Sequence, residues 1–263
     1  MSANKRIVIK VGSQLLSTNE GLPDINNLRN LSFQISALSD AGYQPVLVSS
    51  GAILCGAQHI GIQTQSIPEE QAAAAVGQPL LIQHYFHAFQ EKNKKIAQLL
   101  LSKDGLEDET RERHAKNTIE TLLAQAVIPV INENDSVSTD EICFGDNDLL
   151  ASQVAALIKA DQLILLTNID GFMNENGELV AELNRIDDSL IENPNFIKNY
   201  LEAIDNESVI CGGRTYTPKL MDRKYALHWK YGSKIESKSA EERNEAPYES
   251  FHSNNFIIPK IIS

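Results

Sequence analysis

Lys10-Val11-Gly12-Ser13 closes the apolar run Arg6–Val11, and that order of residue types is the first sign of chemistry in the chain. Ligands of open α/β sheets bind beyond the carboxyl ends of the strands. A lysine there supplies a cation, and Gly-Ser behind it supplies backbone N–H groups that an anion can approach closely. Ser49-Ser50-Gly51-Ala52 repeats the arrangement after a second run, Pro45–Ser49, just before a helical stretch whose dipole favours an anion. Each turn alone is compatible with a plain connection. Two Gly/Ser turns on successive strands describe a phosphate-facing edge. The pattern GxxxxGK[ST] is absent, so this edge is not a P-loop.

The densest polar cluster is Asn132-Glu133-Asn134-Asp135-Ser136, followed by Gly145-Asp146-Asn147-Asp148 at the start of a helical stretch. Asp146 or Asn147 suits an N-cap, which explains only part of the second motif. So many amides and carboxylates at one strand end suit a ligand carrying amino and carboxylate groups, or the organisation of nearby lysines. Thr167-Asn168-Ile169-Asp170-Gly171 ends another strand and is suited to line a nucleotide. Gly212-Gly213, with Lys219 soon after, suits a flexible phosphate-facing loop. His84 and His87 stand three apart with no third ligand evident, which favours packing or solvent roles over a metal site. Glu107-Asp108-Glu109 with Arg111 and Arg113 reads as a solvated loop or helix face.

The elements that must position these groups alternate short β-branched runs with longer helical stretches, the pattern of βα units around a mostly parallel sheet. Strands are predicted at Arg6–Val11, Pro45–Ser49, Ile96–Leu101, Val127–Asn132 and Gln162–Thr167, all compact and apolar as strands covered on both faces are. Asp24 is placed to cap a helix carrying Ile25, Leu28, Leu31, Ile35 and Leu38, and Gly42 to end it. Further helices are predicted at Glu69–Gln90, Ala115–Gln125 and Asn147–Lys159. Asn174, Asn176 and Gly177 suggest a hairpin, and 196–203 a short helix. Beyond Gly213 the periodicity fades, apart from a candidate last strand at Phe256–Ile262.

The 263 residues suffice for a large core in one or two domains. The formal charge of −12 gives nucleic-acid binding, which needs clustered Lys and Arg, a low prior. That charge is uneven: residues 1–213 hold 29 acidic and 14 basic side chains, and 214–263 hold 6 and 9. Cys55, Cys143 and Cys211 form no CxxC pair, consistent with reduced thiols. With a polar N-terminus and no apolar run near membrane-span length, the expected location is cytoplasmic, with no membrane partner.

Taken together and in order, Lys10-Val11-Gly12-Ser13, Val48-Ser49-Ser50-Gly51-Ala52, Ala75-Val76-Gly77-Gln78, Asn132-Glu133-Asn134-Asp135 and Phe144-Gly145-Asp146-Asn147-Asp148 resemble the glutamate 5-kinases of the amino acid kinase superfamily. Leu101-Ser102-Lys103-Asp104 and Ala115-Lys116-Asn117-Thr118 are similar too, and the resemblance covers roughly residues 5–213. It implies a single α/β domain, a three-layer αβα sandwich, and ATP-dependent phosphorylation of the γ-carboxylate of L-glutamate, the first step toward proline. It further implies that Lys10 contacts the transferring phosphoryl group and that Asp148 positions the active-site lysines. Gly12, Ser13, Ser50 and Gly51 would offer N–H groups to phosphate. Ser50, Asp135 and Asn147 match glutamate-binding positions, Thr167 and Asn168 nucleotide positions, and Mg²⁺ would ride with ATP. A homo-oligomer and feedback inhibition by L-proline are family expectations. Longer members carry a C-terminal PUA domain, which is not expected in a chain of this length.

The sequence departs from that pattern in two places. Asn168 replaces an Asp common in the family. At Gly212-Gly213-Arg214-Thr215-Tyr216-Thr217-Pro218-Lys219 the family has Gly-Thr-Gly-Gly-Met-x-Thr-Lys. Aligning on the lysine makes Lys219 a second catalytic cation but shifts the glycines, including Gly213, out of register. Two alternatives therefore stand beside the main reading: a kinase for another small carboxylic acid, and an impaired homologue that binds glutamate without turnover. A tail in an altered reading frame would explain the change near Gly213, and the nucleotide sequence tests it. A shifted frame should restore Met-x-Thr-Lys-Leu.

Overall fold

A computed structural model describes residues 5–18, 20–137 and 146–167, together with three later strands. The strands are β1 (Arg6–Val11), β2 (Gln44–Ser49), β3 (Lys95–Leu101), β4 (Val127–Glu133) and β5 (Gln162–Thr167), followed by β6 (Val209–Cys211), β7 (Arg214–Tyr216) and β8 (Ala226–Lys230). The helices are α1 (Ile25–Asp40), α2 (Ala52–Ile60), α3 (Ile67–Gln90), α4 (Lys103–Glu107), α5 (Glu109–Ala124) and α6 (Asp146–Leu157).

The first five strands pair in parallel in the order β3-β4-β2-β1-β5. The outer side of β5 pairs with β8 from Leu163↔Ala226 to Thr167↔Lys230 and meets β6 at Ile164↔Ile210, while β7 runs antiparallel to β6. Alternation along each strand divides the core into two layers. Ile7, Ile9 and Val11 join Leu31 of α1 and Tyr85 and Phe89 of α3 on one face. Val8 joins Ile119 of α5 and Leu150, Val154 and Ile158 of the α6 segment on the other. The sheet with helices on both faces is the expected three-layer α/β arrangement.

This layering locates the ligand crevice. The chain leaves β2 toward the α1–α3 face but leaves β4 toward the α5–α6 face, although β2 and β4 are neighbours. The strand order therefore has its switch point between the carboxyl ends of β2 and β4, where open α/β sheets bind ligands. Asn132 and Glu133 end β4 there, opposite Ser49 and Ser50.

The predicted strands agree with the structure to within one residue at each end. Asp24 caps α1 as expected, its Oδ1 accepting from Asn27 N at 3.0 Å. The helix expected from Ala115 begins six residues earlier, because Asp108 caps it by accepting from Arg111 N at 2.8 Å. Its first turns are exposed, so no apolar spacing announces them. Strands β7 and β8 lie where the sequence shows no clear periodicity; they are short pieces that pair with β6 and β5. The hairpin near Gly177, the helix at 196–203 and the strand at 256–262 lie outside the described residues.

Three helix-to-strand turns carry a non-glycine residue in the left-handed region: Asn93, Ala126 (φ 53°) and Lys159, before β3, β4 and β5. The corresponding turn before β2 uses Gly42. Left-handed geometry costs an ordinary residue about 1–2 kcal/mol, against glycine's extra unfolded-state entropy of about 0.5–1 kcal/mol. Ala126 is exposed and loses no packing, so Ala126→Gly should raise stability by about 0.5–1 kcal/mol. Urea denaturation checks this, and a lower midpoint would contradict it.

Candidate active site

The site is built from the first turn of α6 and the carboxyl ends of four strands. Lys10 faces the α6 side of the sheet because it shares the parity of Val8. There its Nζ meets Asp148 Oδ1 at 2.5 Å, with side chains only 10% and 19% exposed. Burial pushes the Asp148 carboxyl above the usual carboxylate range, while Lys10 pulls it back down. Asp148 also sits in the first turn of α6, where the helix dipole favours a negative charge.

The turn beyond β1 is tied to both neighbouring strands. Gly12 N donates to Leu166 O of β5 at 3.4 Å, and Ser50 N donates to Val11 O at 3.1 Å. A methyl group at Gly12 would sit 3.5 Å from Lys10 Nζ, so its absence leaves the ammonium open to a ligand passing over the turn. Ser13 begins a short 3-10 helix, Ser13–Leu16, and the first N–H groups of a helix lack internal acceptors. Across from it, Gly51 takes φ 106° to turn the chain from β2 into α2. That left-handed value is the reason a glycine stands there.

The residue before Asp148 reaches the switch point. Asn147 Nδ2 donates to Ser50 Oγ at 2.9 Å and to Asn132 Oδ1 at 3.0 Å, and Asn147 Oδ1 accepts from Glu133 N at 3.3 Å. Asn132, 2% exposed, in turn donates from Nδ2 to Gln78 Oε1 of α3 at 2.7 Å. Ser49 and Tyr85 share a hydrogen bond of 2.8 Å beneath this layer. Burial pushes the Tyr85 hydroxyl up, so it stays protonated at all ordinary pH values.

Among the residues expected from sequence, the structure brings Lys10, Gly12, Ser50, Asn147 and Asp148 together by direct contact. Ser13 and Gly51 lie in the turns that flank them. Asp135 lies half-buried in the turn after β4, and Thr167 ends β5. Asn168, Gly213 and Lys219 lie outside the described residues. Gln78 and Tyr85 are given no site role by the sequence. The signal for Gln78 is its place in Ala75-Val76-Gly77-Gln78, but nothing local says which strand end it meets. His84 and His87 gather no third ligand: among the described residues no group of three or more His, Cys, Asp or Glu is placed to hold a metal. No described helix is long and apolar enough to cross a membrane.

The N–H groups of Gly12 and Ser50, expected to face phosphate, are instead spent on Leu166 O and Val11 O. Chemically, the arrangement therefore sets a paired, buried cation and the Ser13 and Gly51 turns beside a hydrogen-bonded amide and hydroxyl. The first half suits a phosphoryl group and the second a polar acid. Comparison with known proteins bears on this. A model of the amino acid kinase family matches residues 5–211. The chain is similar to the glutamate 5-kinase of Clostridium tetani, 42% identical over 211 residues, which are 80% of this chain and 74% of that protein. It is 49% identical over 178 residues to the glutamate 5-kinase of Teredinibacter turnerae, covering 67% of this chain and 48% of the relative. Apart from the Clostridium protein, the chain spans about half the length of such relatives. Among solved structures, aspartate kinase from Synechocystis is similar with a TM-score of 0.51 and 16% identity, over 86% of this chain and 41% of that one, a likeness of fold.

Proposed function

The chain belongs to the amino acid kinase family, with glutamate 5-kinases as its sequence relatives, and from that premise we propose that it phosphorylates the γ-carboxylate of L-glutamate. In this reaction a carboxylate oxygen forms a bond to the γ-phosphorus of ATP while the bond from that phosphorus to the β,γ-bridging oxygen breaks. The products are L-glutamyl 5-phosphate and ADP, and the reaction opens a route to proline.

The observation that carries this reading is the pair of adjacent side chains in α6. Asp148 holds the buried Lys10 and Asn147 holds Ser50 at the switch point, so one helical turn joins a phosphoryl-stabilising cation to a site for a polar acid. Phosphoryl transfer needs chiefly positioning and neutralisation of charge on the phosphoryl oxygens. The acceptor is already ionised at neutral pH, since a glutamate side chain in water titrates at about 4.3, so no general base is required.

In this assignment Lys10 and Lys219 neutralise the transferring group, and Asp148 orients the lysines. The turn at Gly12 and Ser13 receives phosphate, Ser50, Gly51, Asp135 and Asn147 receive glutamate, and Thr167, Asn168 and Gly213 line the nucleotide. Mg²⁺ enters as part of the MgATP substrate and supplies further neutralising charge. A single-domain organisation over 1–263, a homo-oligomeric state, a cytoplasmic location and inhibition by L-proline belong to the same proposal.

The test is direct. The protein with MgATP is offered L-glutamate, L-aspartate, N-acetyl-L-glutamate or carbamate, and acyl phosphate is trapped with hydroxylamine. Hydroxamate formation with L-glutamate alone is the expected result. Turnover of another acid in its place would move the reading to that substrate. Calorimetric binding of glutamate with no hydroxamate would make the chain a silent binder.

A further inference from the structure

We propose that Gln78 is a positioning residue for the acid-binding half of the site, acting through Asn132 and Asn147 to orient the Ser50 hydroxyl; its effect on glutamate rests on the reading above. The starting point is the buried amide of Asn132. Its Oδ1 accepts from both Glu133 N, at 2.9 Å, and Asn147 Nδ2, at 3.0 Å, while its Nδ2 donates to Gln78 Oε1. Every connection in this set has a direction. Rotating the Asn132 amide by half a turn would set its NH₂ against two other donors and leave its oxygen facing Gln78 Oε1.

Glu133 N and Asn147 Nδ2 thus fix which way Asn132 points, and Gln78 Oε1 is the acceptor that satisfies and anchors its NH₂. Without it, the Asn132 NH₂ would be a buried donor lacking an acceptor, and the side chain would lose the anchor that holds it still beneath Asn147. The consequence passes to Asn147. Its Nδ2 donates to Asn132 Oδ1 and to Ser50 Oγ, so Ser50 uses an oxygen lone pair on Asn147 and keeps its O–H to donate. Among the described residues no acceptor takes that O–H. A hydroxyl presented as a donor at the switch point suits a carboxylate ligand.

Gln78 is well placed for this because α3 is seated firmly beside it. The preceding residue, Gly77, lies against α2 so closely that a methyl group there would fall 1.8 Å from Ala52 O. Two turns further along the same helix, Tyr85 holds Ser49. Helix α3 thus grips the ends of both β4 and β2, one polar side chain to each.

The experiment uses Gln78→Met, which keeps the length of the side chain and removes the acceptor, and Gln78→Glu, which keeps an acceptor. In ligand-free protein the side-chain NH₂ of Asn147, assigned by comparison with Asn147→Asp, is followed by ¹⁵N NMR. Exchange of that NH₂ with water should quicken at least tenfold in Gln78→Met and stay near wild type in Gln78→Glu. In the hydroxamate assay, Gln78→Met should raise KM for L-glutamate about tenfold, with kcat and KM for MgATP within twofold. In an Asn132→Ala background the same change should add less than twofold. An unchanged Asn147 NH₂ in Gln78→Met, or a full tenfold effect in the Asn132→Ala background, overturns the proposal. Wild-type protein that ignores glutamate while the NH₂ responds as expected would refute the glutamate reading and support the positioning role.

Discussion

Lys10→Met is expected to lower kcat for glutamate phosphorylation by about 10²–10³-fold, the usual effect of removing one preorganised stabiliser of transition-state charge. KM for glutamate should change little, since Ser50 and Asn147 stay in place. From sequence alone, removing this side chain, as in Lys10→Ala, is expected to lower kcat with stability little changed. The structure changes that expectation, because Lys10 is buried against Asp148 and its loss strands a carboxylate. Breaking one side of a buried pair costs about 3–5 kcal/mol when both groups are fully enclosed, and this pair is partly open, so about 1–3 kcal/mol is expected near pH 8.

The sign of the pH dependence follows from Asp148. Its folded-state pKa is raised, chiefly by burial, so the favourable contribution of its protonated form is fully present below the ordinary carboxylate pKa of about 3.9. That contribution is lost as pH rises through the folded value. Removing Lys10 removes the pull that holds the value down, so the loss deepens and its window extends to higher pH. Thermal melts of Lys10→Met should therefore fall further below wild type at pH 8 than at pH 5. The double variant Lys10→Met, Asp148→Asn should recover most of the stability and none of the kcat. Equal Tm deficits at pH 5 and pH 8 would show that the carboxylate is not buried as described.

The sequence makes the residue types of this site visible but not their partnerships. Strands β1 and β5 are legible to the residue, because a strand covered on both faces is an unbroken apolar run with polar ends. Lys10 stands out because it interrupts such a run at its carboxyl end. The resemblance implies that Asp148 positions lysines, but the residues themselves say that Lys10 meets it only when strand parity is combined with the face that α6 covers, and the latter is a tertiary fact. Gln78 and Asn132 lie 54 residues apart, and no local rule connects a mid-helix glutamine with one strand end among five. The start of α5 is hidden for the opposite reason, its first turns being solvated and so without apolar spacing. β7 and β8 form from segments with weak patterns of their own, since an open sheet edge accepts almost any extended backbone.

Gly77→Ala should be strongly destabilising, for Gly77 and Gly56 are the most tightly enclosed glycines among the described residues. Helices α2 and α3 cross at Gly56 and Gly77, backbone against backbone. A Cβ on Gly77 would lie 1.8 Å from Ala52 O and 2.4 Å from Gly56 N, and neither atom is the free end of a side chain. Overpacking ordinarily costs about 1–3 kcal/mol, but here relief requires a helix to move, and a loss of at least about 3 kcal/mol is expected. A glycine in mid-helix already costs about 1 kcal/mol relative to alanine, so propensity alone predicts that the substitution stabilises. The two arguments have opposite signs, and the steric one is larger. Gly61→Ala separates crowding from backbone strain: Gly61 is left-handed, at φ 72°, but has nothing within 4 Å, so strain less glycine's unfolded-state entropy, about 0.5–1 kcal/mol, is the whole expected cost there. If urea denaturation finds Gly77→Ala no worse than Gly61→Ala, the helices do not cross as closely as described. If Gly77→Ala retains a folded fraction, that fraction should bind glutamate poorly, because α3 cannot retreat from α2 without carrying Gln78 and Tyr85 with it.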